Sequence, residues 1–154
     1  MEQFTIRLAK RDDAPAIYAI HKTSLTTLCQ THYPLNTLER WIARKSVEGY
    51  YPAIDRGEMF VCESGVTAVG FGHAILGEVV AVFVHPDFAG QGIGKLILNH
   101  ALQCAKSDDD TPIKLIATLN AEAFYAKHGF KEVRRYSEVR GDLEFPVVEM
   151  EKSK

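Results

Sequence analysis

The 154 residues hold 18 Lys and Arg against 20 Asp and Glu, a net charge of −2 with the histidines neutral. With no Lys/Arg cluster, that balance excludes nucleic acid and an anionic membrane surface as the main partner. Hydrophobic residues make up 46% and charged residues 25%, the profile of a single globular domain, 1–154, long enough to bury a core. No apolar run approaches the roughly 20 residues of a membrane span. Met1 is followed by an acidic and then an alternating stretch, which does not resemble a signal peptide, so the expected location is the cytoplasm. Cys29, Cys62 and Cys104 are odd in number and lack C-x-x-C or zinc spacing. No metal is expected, and each is read as a small buried reduced thiol.

Phe4–Leu8 alternates apolar and polar residues and predicts a half-buried strand. Asp12 and Asp13 before Ala14-Pro15 read as an N-cap and first-turn proline, opening a helix that carries Ile17, Ile20, Leu25 and Leu28. Thr31–Pro34 is a loop. Asn36 with Glu39 three residues on resembles a capping box and opens a second helix through Leu38, Trp41 and Ile42. Met59–Glu63 predicts a strand, turning at Ser64-Gly65 into Val66–Leu76. A second turn at Gly77 leads into Glu78–His85, nearly all apolar after its first residue, as suits a central strand covered on both faces. A helix then places Ile93, Leu96, Ile97, Ala101, Leu102 and Ala105 on one broad face and ends in the acidic turn Ser107–Asp110. Ile113–Ala117 is a strand, Ala121–Lys127 a short helix, and Phe130–Ser137 and Phe145–Met150 further strands. The order β-α-α-β-β-β-α-β-α-β-β describes an α+β fold on a mixed sheet.

The segment most informative about chemistry is Val82-Phe83-Val84-His85-Pro86-Asp87-Phe88-Ala89-Gly90-Gln91-Gly92-Ile93-Gly94-Lys95. An apolar strand breaks at a proline, passes three glycines in five residues and enters a helix. Glycines let backbone approach a ligand closely. The first N–H groups of the helix and its positive dipole end suit a phosphate or pyrophosphate. One glycine would suffice for a turn, so three point to an anionic ligand. Lys95 opposes the dipole preference in the first turn, a conflict that a bound anion removes and that a solvated lysine also tolerates. A dinucleotide fingerprint from Gly90 would need glycine where Lys95 stands. A P-loop ending at Gly94-Lys95 would need glycine at Ala89 and a hydroxyl at Leu96.

What remains, a G-x-G-x-G turn after a strand, resembles the acetyl-coenzyme A loop of the GNAT superfamily of N-acetyltransferases. That loop reads Arg/Gln-x-x-Gly-x-Gly/Ala and matches here at Gly92 and Gly94, departing at Ala89. Asn120-Ala121-Glu122-Ala123-Phe124-Tyr125-Ala126-Lys127-His128-Gly129-Phe130 is similar to the family's A-x-x-F-Y-x-x-x-G-F signature at Ala121, Phe124, Tyr125, Gly129 and Phe130. The resemblance runs from Thr5 to about Glu149. It implies a central, mostly antiparallel mixed sheet flanked by helices, with acetyl-coenzyme A as cosubstrate and a small-molecule or peptide amine as acceptor, in a monomer or homodimer.

The resemblance also distributes roles. The pyrophosphate would lie over Ala89, Gly90, Gln91, Gly92, Ile93, Gly94 and Lys95. The strand Val82-Phe83-Val84 would splay from its neighbour and pair with pantetheine through backbone groups, with an amide near Val84 holding the oxyanion. Tyr125 is the general acid toward the leaving thiolate in this reading, or a core aromatic in the plainer one. Asn120 either contacts pantetheine or caps the short helix, and the family's asparagine falls nearer Thr118. A base or water path must take the amine's proton. Glu78 is placed first and His73 second, with weaker cases for His21, His32 and His85. Direct transfer in a ternary complex is favoured over a covalent enzyme, because no cysteine has a nucleophile's setting. The alternative is a non-catalytic acyl-coenzyme A binding module. The acceptor pocket would be built from Ser24–Trp41 and a Tyr136–Phe145 loop.

Overall fold

The alternating residues Phe4–Leu8 form β1, which pairs antiparallel with β2 (Met59–Ser64), and β2 with β3 (Thr67–Ile75). The computed structural model describes residues 3–107 and 109–153. The chain start at Met1 and the Asp108 position of the acidic turn lie outside the described residues. Between β1 and β2 come the helices α1 (Ala14–Leu28), α2 (Leu35–Ala43) and α3 (Tyr51–Asp55). After β3 follow β4 (Glu78–Val84), α4 (Ile93–Ala105), β5 (Ile113–Ala117), α5 (Glu122–Lys127), β6 (Lys131–Arg140) and β7 (Leu143–Lys152). The strands form one sheet in the order β1-β2-β3-β4-β5-β7-β6. Every pairing is antiparallel except β4 with β5. This is the expected α+β architecture, with α3 as an addition that a five-residue helix opening on Pro52 left unmarked in the apolar pattern.

Successive strand residues point to opposite faces, and β2 uses both. Phe60 and Cys62 join the core under α4 and α5, with Ile93, Ile97, Leu98, Tyr125 and Phe130. Met59 and Val61 join the other, with Ile17 and Ile20 of α1, Ile54 of α3 and Phe71 of β3. A third cluster packs the end of α1 and α2 onto β7 through Leu25, Leu38, Trp41, Phe145 and Val147. The sheet is thus covered on both faces where α1 and α4 lie, and its central strand is reachable only where neighbouring strands part.

Several local expectations are corrected. Asp13 holds the N-cap position of α1 with Pro15 in the first turn as expected, but its carboxylate accepts from the Lys10 amide and pairs with Arg7 at 2.8 Å, so it stabilises the preceding turn and makes no capping bond to the helix. Pro34, in an extended conformation, precedes α2 and brings Asn36 inside the first turn, so no Asn36–Glu39 box forms. Leu28 and Leu96 are partly exposed, at 37% and 42%, and Leu98 takes the buried place on α4. Cys29 and Cys62 are buried, but Cys104 lies on the solvent side of α4 and is exposed. Asp109, within the acidic turn, is exposed and accepts from the Ser107 hydroxyl and the Thr111 amide. The Tyr136–Phe145 segment is a hairpin and not a loop: Tyr136 pairs with Val147 and Arg140 with Leu143 across the tight turn at Gly141-Asp142.

Candidate active site

Strand β4 is pinned beside β5 at one end only. Glu78 pairs with Lys114 and Val79 with Leu115, and there the parallel ladder stops. On its other side β4 stays paired with β3 as far as Gly70–Val84, across one bulge between His73–Ala81 and Ala74–Val79, and the His85 amide donates to the Val69 carbonyl. Antiparallel pairing alternates the direction of backbone polar groups. With His85 and Phe83 turned toward β3, the amides of Val82 and Val84 face the gap. The Val84 carbonyl on that side accepts the Ser24 hydroxyl at 2.7 Å. The expected splay is therefore present, and it explains why only Val79 of the apolar run is fully buried while Val80, Val82 and Val84 are open or half-buried.

The gap widens into a cleft of about 570 Å³, lined by Glu78 to Val84, Thr118, Asn120, Tyr125 and, from the far wall, His21, Trp41 and Phe145. A second cavity of about 470 Å³ lies over Ala89, Gly90, Gly92, Ile93, Gly94 and Lys95. Val84, Gly94 and Phe124 border both, which makes them adjoining parts of one groove. Gly90 and Gly92 have φ of 82° and 81°, a conformation that L side chains adopt at a cost of about 1–2 kcal/mol. A Cβ on either would meet nothing within 4 Å, so the requirement comes from the backbone and not from packing. Gly92 is the N-cap of α4 without a side-chain cap, and the first intrahelical bond runs from the Leu96 amide to Gly92. The amides of Ile93, Gly94 and Lys95 consequently point outward with no helical partner. Gln91 and Lys95 are exposed beside them. Gly94 lies under the Phe124 ring, where an added Cβ would stand 3.3 Å from Cζ.

Tyr125 is 6% exposed and packs edge-on against Phe130. Its hydroxyl makes no hydrogen bond within the described residues, although the side chain lines the cleft. Burial pushes the phenol well above its ordinary value, which keeps it protonated at neutral pH. Asn120 is not the cap of α5, since Ala121 holds that place. Its Oδ1 instead accepts the buried Cys29 thiol at 3.1 Å. Thr118 precedes the same turn and lines the cleft.

The candidate bases separate. Glu78 is half-buried on the cleft wall, 3.9 Å from the Lys114 ammonium. His73 also lines the cleft, and its Nε2 lies 2.8 Å from Oε1 of Glu58. Glu58 had no signal in the sequence pattern. Arg56 and then His73 hold its carboxyl down at about 2. His85 accepts the Asp87 amide in the turn after β4, and His32 is exposed beside Thr31, so neither faces the cleft. His21 does face it, but burial lowers its pKa to about 3. Nδ1 lies 2.9 Å from the Tyr50 hydroxyl, and the ring packs 4.3 Å from that of Phe83. A ring so reluctant to charge is a poor proton acceptor.

That burial has a measurable consequence. The folded pKa of His21 is lowered, so its contribution to stability is full above about pH 6.5 and is lost as pH falls toward 3. Acidification from pH 7 to 4 should lower stability by up to about 1.4 kcal/mol per pH unit through this one group. His21→Gln should show a visibly flatter loss of melting temperature over that range, and an unchanged pH profile would contradict the assignment.

A family model described as an acetyltransferase (GNAT) domain matches residues 55–132, just over half of the chain, from α3 through the groove to β6. The chain belongs to the GNAT acetyltransferase family. The chain is 25% identical over 146 residues to an uncharacterised N-acetyltransferase of Methanocaldococcus jannaschii, an alignment covering 86% of this chain and 62% of that protein. It therefore spans less than two thirds of that relative's length. The same GNAT fold recurs in a GCN5-related N-acetyltransferase from Rhodopseudomonas palustris, with a TM-score of 0.90, 22% identity and coverage of 100% and 98% of the two chains. It recurs in the PaiA N-acetyltransferase from Thermoplasma acidophilum, solved in complex with coenzyme A, with a TM-score of 0.77, 22% identity and 99% coverage of each chain.

Proposed function

We propose that residues 1–154 act as one domain that transfers an acetyl group from acetyl-coenzyme A to a primary amine by direct attack within a ternary complex. The observation that carries this reading is the continuity of the groove: a glycine turn with outward amides at one end, an opened strand edge in the middle, and an unpartnered phenol in the wall. Pyrophosphate would rest on the amides from Ala89 to Lys95, where dipole and N–H groups favour an anion. The pantetheine arm would lie along β4, pairing with the backbone of Val82 as an added strand would, with Asn120 and Thr118 also lining the cleft. The amine then attacks the thioester carbonyl, the Val84 amide stabilises the tetrahedral oxyanion, and Tyr125 gives its proton to the departing thiolate.

The test is thiol release from acetyl-coenzyme A across a panel of primary amines. Coenzyme A binding without turnover on any amine would leave the non-catalytic binding module as the surviving reading. If Glu78 or His73 leads the amine's proton away, turnover should rise from pH 6 toward pH 8, because the free amine is the nucleophile. Glu78→Gln and His73→Ala should each be profiled, and the true base is the one whose loss flattens or shifts that limb. If neither change alters the profile, both residues leave the mechanism and the base is water or lies elsewhere.

A further inference from the structure

One charged group on the cleft wall has no counterpart. Lys45, just after the C-terminal end of α2, is half-buried and lines the cleft. Among the described residues its ammonium makes no hydrogen bond and no ion pair. A lysine after a helix is favoured by the dipole, yet this Nζ donates to none of the α2 carbonyls. The groups that act on it electrostatically are themselves basic, with Arg140 at the end of β6 and His21 on α1. Burial, and then Arg140, pulls the ammonium below the ordinary lysine range. The carboxylates on the same walls are engaged elsewhere: Glu138 lies 3.1 Å from Arg140, and Glu78 faces Lys114.

A half-buried cation without a partner is unfavourable unless an anion arrives to match it. The surroundings say what kind. Trp41 and Phe145, largely buried, stack at 4.0 Å behind the same wall and make that part of the lining apolar. His21, beside Lys45, packs on Phe83 of the opened strand, which puts the cationic pole across one ring pair from the edge of β4. Resting on the acetyltransferase reading, we propose that Lys45, assisted by Arg140, binds the carboxylate of the acceptor. The acceptor is then a small amine with an apolar body and a carboxylate, chemically an amino acid, whose amino group reaches the gap at Val82–Val84.

The experiment compares the standard free L-amino acids with their matching amides, which keep the amine and side chain and lose the anion. Thiol release should favour acid over amide, and Lys45→Met should reduce that preference about tenfold through KM, as loss of one charge-assisted contact implies. Lys45→Arg should retain most of it. Amides used as well as acids by the wild type, or a preference unmoved in Lys45→Met, would overturn the proposal. Calorimetry with N-acetyl amino acids and N-acetyl amino-acid amides, coenzyme A present, separates the two readings. Lys45-dependent binding of the acids without any turnover refutes the transferase and keeps the carboxylate site. Turnover on other amines with no Lys45-dependent binding refutes the site and keeps the transferase.

Discussion

Tyr125→Phe should lower kcat by about 10²–10⁴-fold while leaving coenzyme A binding intact, the loss expected when one positioned proton donor is removed. The substitution retains the ring, and with it the contacts to Phe124 and Phe130. Among the described residues the hydroxyl has no hydrogen-bond partner, so no internal hydrogen bond is broken and the melting temperature should change little. The phenol's raised pKa keeps the proton in place at neutral pH, which suits a group that must give it up only as the thiolate forms. Steady-state turnover, melting temperature and coenzyme A binding on this one variant decide the matter. A purely structural tyrosine predicts lower stability and nearly intact turnover, and that result would remove Tyr125 from the mechanism.

Gly92→Val should abolish the stabilisation that coenzyme A confers. A ligand at 100 times its dissociation constant adds about 2.7 kcal/mol to stability, a readily measured rise in melting temperature. At φ 81° a β-branched residue is strained by about 1–2 kcal/mol or more, and the turn relieves the strain by turning away, which disperses the amides of Ile93, Gly94 and Lys95. No packing is lost, because a Cβ there meets nothing within 4 Å. The unliganded protein should therefore melt only about 2–8 °C lower. Gly65→Val is the matched control: it has φ 63°, equally open surroundings, and lies in the β2–β3 turn outside both cavities. It should show similar strain and keep its response to coenzyme A. Full stabilisation of the Gly92 variant would refute the pyrophosphate assignment.

The glycine turn and the Phe124-Tyr125 helix were legible in the residues because both are local. A backbone that needs positive φ at Gly90 and Gly92 shows itself in composition, and an aromatic pair followed by Gly129-Phe130 fixes a short helix and its stop within one turn. The alternation in β1, the continuous run in β4 and the wide apolar face of α4 likewise follow from periods of 2 and 3.6. The same local logic erred at Asn36 and Asn120, where a plausible cap was outcompeted by Pro34 on one side and by a long-range partner, Cys29, on the other.

What the chain determined by itself was therefore an α+β domain, an anion-receptive turn between strand and helix, and a phenol set on a short helix that follows one helix and one strand later. Only the tertiary structure decided where β4 leaves β5, because a ladder ends when two strands diverge and neither carries a mark of that in its side chains. It also decided which bases matter. His21 and His73 carry the same imidazole, yet burial against Phe71 and Phe83 disarms one, while a carboxylate fifteen residues away in sequence holds the other on the cleft wall. Lys45 is an ordinary lysine in the sequence. It becomes a candidate for recognition because packing of α2 onto β7 places it beside Arg140, whose carboxylate partner Glu138 does not pair with it, so that among the described residues Lys45 has no ion-pair partner, and charge compensation is a property of the assembled fold and not of any segment.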